Sequence, residues 1–570
     1  MSGIGEPAAA AAVEAELAWR VEQWIAADPD PKTREELANL LAAGASDRLR
    51  ELFATPLTFG TAGIRGQLGP GPARVNRVVV RKIVAGLAGW LCGLGRETAA
   101  AGVVIGRDAR HGSAAFFDDA VRVISENGIK VLAIEGTCPT PFVPFSVSRL
   151  GAAAGIMITA SHNPPSDNGL KVYLADGAQV IPPYDAEISA AIAGGGRRQP
   201  CQLGTIERLP LAEVADAYRA AILSTTSVKE ETDLELVYTP LHGVGGLVMP
   251  DLFGEAGFRN VHVVAEQAEP DPDFPTTPFP NPEEAQTFDL AIRDAAKIRA
   301  DLIVANDPDA DRLAVAVPGD GGAGWRRLTG DEIGVLLADW LIERRPEARS
   351  LVATSVVSSS MLSVMARETG VDYVETLTGF KWIARAGGPK PLLFGYEEAY
   401  GYAVNPVVAD KDGLSAGLEF CRLVATLKAA GSSVVERLDE LALRYGVFLT
   451  EQVSFRIGGR AGSAELMSRL REALPADFAG VEVTEAIDLL GGSRDLPPAD
   501  VLVFVLGERG TVKLRPSGTE PKLKAYIEVR ALARVRGELQ AARAEAARMA
   551  ERLKRAVQSI SEDLLDVPGR

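Results

Sequence analysis

The chain has 570 residues, and its Lys+Arg 60 against Asp+Glu 76 give a formal net charge of −16; at about 150 residues per domain this is room for roughly four domains. That acidic balance, with no Lys/Arg tract interleaved with aromatics, argues against a nucleic-acid binder. At 47% hydrophobic and 24% charged, with Gly 57 and Pro 35, the composition is that of a soluble globular protein and not of a disordered one.

Residues before about Ser46 carry Ala, Glu and Leu at helical spacing, with a break at Asp28-Pro29-Asp30-Pro31. Glu6, Glu14 and Glu16 among the first alanines, with no basic start before them, argue against a signal peptide, and none is expected. Ile83 to Gly95 is the longest apolar-plus-glycine stretch, too short for a bilayer, which takes about 20 residues. From Gly102 the pattern alternates: strand Gly102 to Gly106, helix His111 to Asn127, strand Ile129 to Ile134, strand Gly155 to Thr159. Short apolar runs between helical periods predict a parallel or mixed α/β sheet. The rhythm restarts with strand Leu234 to Tyr238, helix Leu247 to Ala256, and strands Val261 to Val264 and Leu302 to Ala305. A proline-rich loop from Pro270 to Pro282 lies between them. It restarts again through Leu351 to Thr354, Met361 to Thr369 and Tyr373 to Glu375. After Gly446 the texture changes to alternating strands at Val453 to Ile457, Val501 to Leu506, Thr511 to Leu514 and Lys524 to Val529. A charged helix from about Ala533 to Ile560 closes the chain. The predicted fold is three α/β units and a smaller α+β unit. The boundaries read as a helical extension over 1–50, α/β domains over 51–225, 226–325 and 326–445, and a fourth domain over 446–570. Cys92, Cys138, Cys201 and Cys421 lie far apart without metal-binding spacing, so a reducing cytoplasm is expected and neither zinc nor disulfides are.

The strongest local signal is Asn306-Asp307-Pro308-Asp309-Ala310-Asp311-Arg312. In extended backbone, residues two apart face one side, so Asp307, Asp309 and Asp311 can converge on one cation. Three carboxylates with room for a phosphate oxygen suit Mg²⁺. An EF-hand would need Gly and Glu where Arg312 and Pro318 stand. The plain alternative is an acidic turn between strands. A second signal, Thr159-Ala160-Ser161-His162-Asn163-Pro164, follows a strand, where α/β folds place ligands; turn and cap chemistry is its alternative. Three loops look built for anions, each with a tight turn as the alternative: Gly60 to Gly66, Tyr238 to Gly246 leading into a helix, and Arg515 to Lys522. Gly319 to Gly324 fits a dinucleotide fingerprint by letters only, because Trp325-Arg326-Arg327 follows where a helix should open. No phosphate-loop motif of nucleotide enzymes occurs, and His262 reads as a strand residue without catalytic duty.

In order, these segments resemble the α-D-phosphohexomutase superfamily. The match runs through Thr58 to Gly66, Thr159 to Pro164, Asp307 to Arg312, Gly395-Tyr396-Glu397-Glu398-Ala399 and Arg515 to Lys522, and looks most like its phosphoglucomutase/phosphopentomutase branch. The resemblance implies three similar α/β domains around a central cleft and a fourth, TATA-binding-protein-like domain. It implies Ser161 as phosphoryl carrier, Asp307, Asp309 and Asp311 as Mg²⁺ ligands together with Ser161, and Arg65, His162, Lys171 and Arg312 around the transferring group. Thr378, Gly379 and Glu397 would meet sugar hydroxyls, and Arg515, Ser517, Gly518, Thr519 and Lys522 the non-reacting phosphate. Lys411, followed by Asp412-Gly413, matches the general acid/base of one branch.

The expected activity is a phosphosugar mutase, an isomerase that acts as an intramolecular phosphotransferase, through a phosphoserine and a bound sugar 1,6-bisphosphate. Glucose 1-phosphate and glucose 6-phosphate are the expected pair, with phosphomannomutase and phosphopentomutase the alternatives. A sugar-phosphate sensor is disfavoured by the full set of reacting residues, and a phosphatase requires water to reach the phosphoserine. The expected partners are small sugar phosphates, with neither nucleic acid nor membrane, and the expected state is a monomer or homodimer. Related mutases often carry Ser where Ala399 stands, so sugar discrimination is expected to be loose.

Overall fold

The computed structural model describes residues 5–58, 63–194, 202–225, 232–319, 324–344, 350–388, 390–456, 459–493, 495–516 and 522–566. They form two compact units, Met1–Leu313 with Val407–Leu414, and Ala314–Pro406 with Ser415–Arg570. No helix among the described residues is long and apolar enough to cross a membrane. Cys92, Cys138 and Cys421 are free thiols, and Cys201 lies outside the described residues.

The first unit opens with helices Gly5–Ala27, Pro31–Ala42 and Ser46–Leu52. The predicted break between the first two is a cap: Asp30 accepts a hydrogen bond from Lys32 N at 2.9 Å and Pro31 takes the first helical position, where no N–H is missed. Leu17, Val21, Leu37, Leu49, Leu52 and Phe53 bury one another and hold the three together.

Six strands follow in one sheet: β1 (Ile64–Gln67), β2 (Val103–Arg107), β3 (Val131–Ile134), β4 (Ala154–Ile158), β5 (Asp167–Leu174) and β6 (Ile206–Leu209), ordered β1-β5-β4-β2-β3-β6. β4, β2, β3 and β6 run parallel, while β5 is antiparallel to both β4 and β1. The apolar stretch from Ile83 belongs to helix Arg77–Leu94, which buries Val79, Val80, Ile83, Val84, Leu87 and Leu91; its length reflects a core-facing helix. A second sheet holds β7 (Thr232–Thr239), β8 (Phe258–Val263) and β9 (Leu302–Asn306), parallel in the order β8-β7-β9. Both signal motifs leave the carboxyl end of a parallel strand, Ser161 after β4 and Asp307 after β9, the end at which such sheets hold ligands.

In the second unit, β10 (Leu313–Pro318) and β11 (Trp325–Arg327) form a hairpin, so the glycine-rich letters near Gly319 open no helix. β12 (Leu351–Ser355), β13 (Asp372–Thr376), β14 (Leu392–Glu397) and β15 (Gly401–Ala403) form a sheet ordered β13-β12-β14-β15. An antiparallel sheet follows, made of β16 (Val447–Arg456), with the small ladder β17 (Asp477–Phe478) and β18 (Val481–Glu482) beside it in sequence, then β19 (Glu485–Asp488), β20 (Leu502–Val505), β21 (Gly510–Pro516) and β22 (Lys522–Ala531). Its order is β16-β22-β21-β20-β19. The closing helix is Leu539–Asp566 and starts later than Ala533, because Val535 is extended and exposed. The core spacing begins only with Leu539, Ala542, Ala546, Ala550 and Leu553.

Candidate active site

The acidic motif converges, but not as an extended strand. Residues 307–310 turn, with Ala310 N donating to Asp307 O at 2.9 Å and Ala310 in the left-handed region at φ 59°. The turn brings one oxygen each of Asp307, Asp309 and Asp311 within 4.8 Å of one another, all three buried. Asp309 Oδ1 and Asp311 Oδ1 are buried and accept no hydrogen bond. Open carboxylate oxygens at that spacing fit a small hard divalent cation such as Mg²⁺. Burial, then the neighbouring Asp309 and Asp311, push the Asp307 carboxyl well above the usual range. Burial acts in the same direction on Asp309, but Lys171 and its hydrogen bonds prevail and hold it well below.

Ser161 follows β4 with φ 53°, a left-handed conformation that costs a residue with a Cβ about 1–2 kcal/mol. Its Oγ donates to Asp307 Oδ2 at 2.9 Å and lies 3.3 Å from His162 Nδ1, while its N–H donates to Thr159 Oγ1 at 2.8 Å. Burial, then Arg312 and Arg65, hold His162 well below the ordinary histidine value, so the ring is neutral. Lys171, fully buried on β5, donates to Asp309 Oδ2 at 2.7 Å and also to Asp311. Arg312 N donates to Asp307 Oδ1 at 3.0 Å, and its guanidinium pairs with Glu283 at 3.0 Å. Arg65 sits on β1 opposite Gly169, and its proton affinity is lowered by burial against the pull of Asp309 and Asp311.

Lys411 lies about a hundred residues further along, yet Val407–Leu414 packs with the first unit. Its Nζ is 3.0 Å from Asp311 Oδ2. The segment is docked by Tyr218 OH to Asp412 and Gln179 Nε2 to Asp410, both 2.7 Å. Gly413 is required there, since a Cβ would lie 2.2 Å from Arg312 O.

Three residues escaped the sequence reading. Thr140 Oγ1 donates to Asp309 Oδ2 at 2.6 Å and Thr140 N to Asp309 O at 2.8 Å; its place beyond the carboxyl end of β3 was the available signal. Arg110 and Tyr218 carried no local signal. The loop Tyr238 to Gly246 has three of its central amides already engaged. His242 N, Gly243 N and Val244 N donate to Gln267 O, Pro240 O and Pro308 O, so the loop braces the acidic turn. His262 lies on β8, as expected, half-exposed beside Glu235.

In the second unit, Glu397 Oε1 accepts from Gly379 N at 2.7 Å, and Gly379 has φ 116°. Thr378 Oγ1 is buried without a hydrogen-bond partner. Glu398 is bound to Ser355 and Ser358 and is raised by burial, then by Glu397. Arg515 and Lys522 stand on the two stems joining β21 to β22. The residues between them that were singled out, Ser517, Gly518 and Thr519, lie outside the described residues, as do Gly60, Thr61 and Ala62 of the loop Gly60 to Gly66.

A buried hydroxyl and a carboxylate trio beyond the carboxyl ends of parallel strands, matched by the cations Lys171 and Lys411, suit an enzyme of phosphoryl transfer. The chain matches the models of phosphoglucomutase/phosphomannomutase alpha/beta/alpha domain I over residues 56–198, domain II over 216–321, domain III over 329–445 and the C-terminal domain over 469–553. It belongs to that family, within the α-D-phosphohexomutase superfamily, and is a phosphosugar mutase, an intramolecular phosphotransferase of the isomerase class. It is 41% identical over 470 residues to the probable phosphomannomutase of Haemophilus influenzae, covering 80% of this chain and 93% of that protein. It is 35% identical over 576 residues to the phosphopentomutase of Homo sapiens (93% and 92%). It is 36% identical over 505 residues to the phosphoglucomutase of Staphylococcus haemolyticus (84% and 91%).

Proposed function

We propose that the enzyme interconverts a hexose 1-phosphate and a hexose 6-phosphate, glucose before mannose, with Ser161 as the phosphoryl carrier. The observation that carries this is Ser161 Oγ, 2.9 Å from Asp307 beside an acidic turn already matched by Lys171. Phosphoryl transfer depends on alignment and charge neutralisation more than on covalent chemistry. Asp307, Asp309, Asp311 and the seryl oxygen would hold Mg²⁺, which supplies Lewis-acid neutralisation of the phosphoryl oxygens. Arg65, Arg312 and Lys171 contribute fixed positive charge. Neutral His162, with Nδ1 3.3 Å from the seryl oxygen, donates to that oxygen while Ser161 donates to Asp307, and Lys411 exchanges the proton of the sugar hydroxyl. The phosphoserine donates to the free hydroxyl of a sugar phosphate, the resulting 1,6-bisphosphate reorients while bound, and Ser161 recovers the other phosphoryl group. Thr378, Gly379 and Glu397 are assigned to sugar hydroxyls. Arg515, Ser517, Gly518, Thr519 and Lys522 are assigned to the non-reacting phosphate, which such a set recognises whichever carbon bears it.

A pentose phosphate is the second reading, favoured because the human phosphopentomutase aligns with 93% of the chain. Coupled assays with glucose, mannose, glucosamine and ribose 1-phosphates decide between them. The hexose reading expects the highest kcat/KM with glucose 1-phosphate, and a ribose preference overturns it.

A further inference from the structure

Arg110 lies in the loop after β2, 4% exposed, and no step above uses it. Its guanidinium gathers the main chain of the serine loop. Nη2 donates to Ser161 O at 2.5 Å and to Asn163 O at 2.6 Å, and Nη1 donates to Pro164 O at 2.8 Å and to Asp167 O at 3.2 Å. Four carbonyls from a seven-residue span thus turn towards one planar cation, the rigid fork that guanidinium provides and an ammonium lacks. The fork is itself held: Asp108 Oδ1 accepts from Arg110 N at 3.0 Å, Asp108 Oδ2 lies 3.4 Å from Nε, and Arg110 Cζ stands 5.0 Å from the centroid of the Phe274 ring. Ser161 is the residue of this loop with positive φ, and its own carbonyl is one of the four.

We propose that Arg110 is a positioning residue for phosphoryl transfer: by holding these carbonyls it keeps Ser161 in its left-handed backbone and so aims Oγ. This rests on the reading of Ser161 as the carrier. In the loading half-reaction a sugar O–P bond of the 1,6-bisphosphate breaks as the Ser161 Oγ–P bond forms, and the sugar oxygen takes up the proton that Oγ gives up. The left-handed backbone decides where Oγ stands for that exchange, and misplacement by about 1 Å costs on the order of a hundredfold in rate.

The test uses the full-length enzyme with Arg110→Lys and Asp108→Asn. Loading of Ser161 from labelled glucose 1,6-bisphosphate is followed by rapid quench, beside kcat, KM and the thermal midpoint. The expected result is a loading rate and kcat lowered about a hundredfold in Arg110→Lys, with KM for glucose 1-phosphate unchanged, and a smaller drop in both rates in Asp108→Asn. Wild-type loading in folded Arg110→Lys overturns the proposal. If Arg110→Lys does not fold, Asp108→Asn decides, and a lowered thermal midpoint with wild-type loading there overturns it as well. Ser161→Ala run alongside tells the two failures apart: turnover in that variant defeats the carrier reading and this proposal with it, whereas wild-type loading in Arg110→Lys beside an inactive Ser161→Ala defeats this proposal alone.

Discussion

Ser161, Asp307, Asp309, Asp311 and Lys171 in the first unit are wholly buried, and each is hydrogen-bonded through its side chain to another of the five. Thr378, Gly379, Glu397, Arg515 and Lys522 in the second are half-buried, on loops and strand ends. On the assignment proposed above, the contrast separates two tasks. Moving a phosphoryl group demands charges fixed before the substrate arrives, which a buried and mutually neutralised set provides. Choosing a sugar rests on partly solvated groups whose separate contributions are of the size of one hydrogen bond.

The sharpest way to break this comparison is Ser161→Ala. Exchange between the 1- and 6-phosphates should vanish while the thermal midpoint stays, because the substitution removes one oxygen from a loop; measurable exchange would show that the buried set does not carry the group. Next come Asp307→Asn and Asp309→Asn, which the sequence alone treats as equivalent. Both should lose Mg²⁺-dependent activity. Metal-free, Asp307→Asn should hold or gain stability by relieving repulsion from Asp309 and Asp311. Asp309→Asn should lose about 3 kcal/mol, since Lys171 and Thr140 lose a charged partner. Denaturant melts with chelator compare the two, and equal midpoints would contradict the pairing.

A third prediction concerns Asp331 in the second unit, whose carboxyl is raised from 3.8 to about 6 by burial despite hydrogen bonds from Thr450, Ser359 and Tyr396. The folded state holds this proton more tightly than the unfolded chain, so the contribution is complete below about pH 4 and is lost as pH rises through 6. It amounts to about 3 kcal/mol. Asp331→Asn should flatten that stretch of the stability curve; an unchanged slope would assign the pH dependence elsewhere. The smallest effect is expected at Ala399, where a hydroxyl is missing. Ala399→Ser should change the ratio of kcat/KM between glucose and ribose phosphates by up to about tenfold, the scale of one neutral hydrogen bond. A constant ratio across all sugars would place residue 399 away from the substrate.

Much of the architecture was legible because its strands are short apolar runs and its helices carry apolar residues at helical spacing; β2, β4, β9 and helix Ser113–Glu126 fall within two residues of where the pattern put them. The antiparallel β5 was not foreseen, since Asp167, Asn168 and Lys171 interrupt its apolar pattern. The interruptions have polar partners: Asn168 donates to Ser113 Oγ and His111 O, and Lys171 donates to the acidic turn. The acidic trio was correctly expected to converge, but by way of a left-handed Ala310 and not by strand alternation.

By itself the sequence determined the chemistry of the groups proposed to react, since a serine motif, an aspartate trio and a Lys-Asp-Gly triplet are local strings whose functional groups do not depend on context. What neighbours those groups have was decided only by the tertiary structure. Thr140 on Asp309, Lys411 on Asp311 and Arg110 across the serine loop join residues 51 to 169 positions apart. Nothing in the spacing of letters announces such pairs, because burial removes the water that would otherwise satisfy each charge and leaves only partners brought from distant parts of the chain.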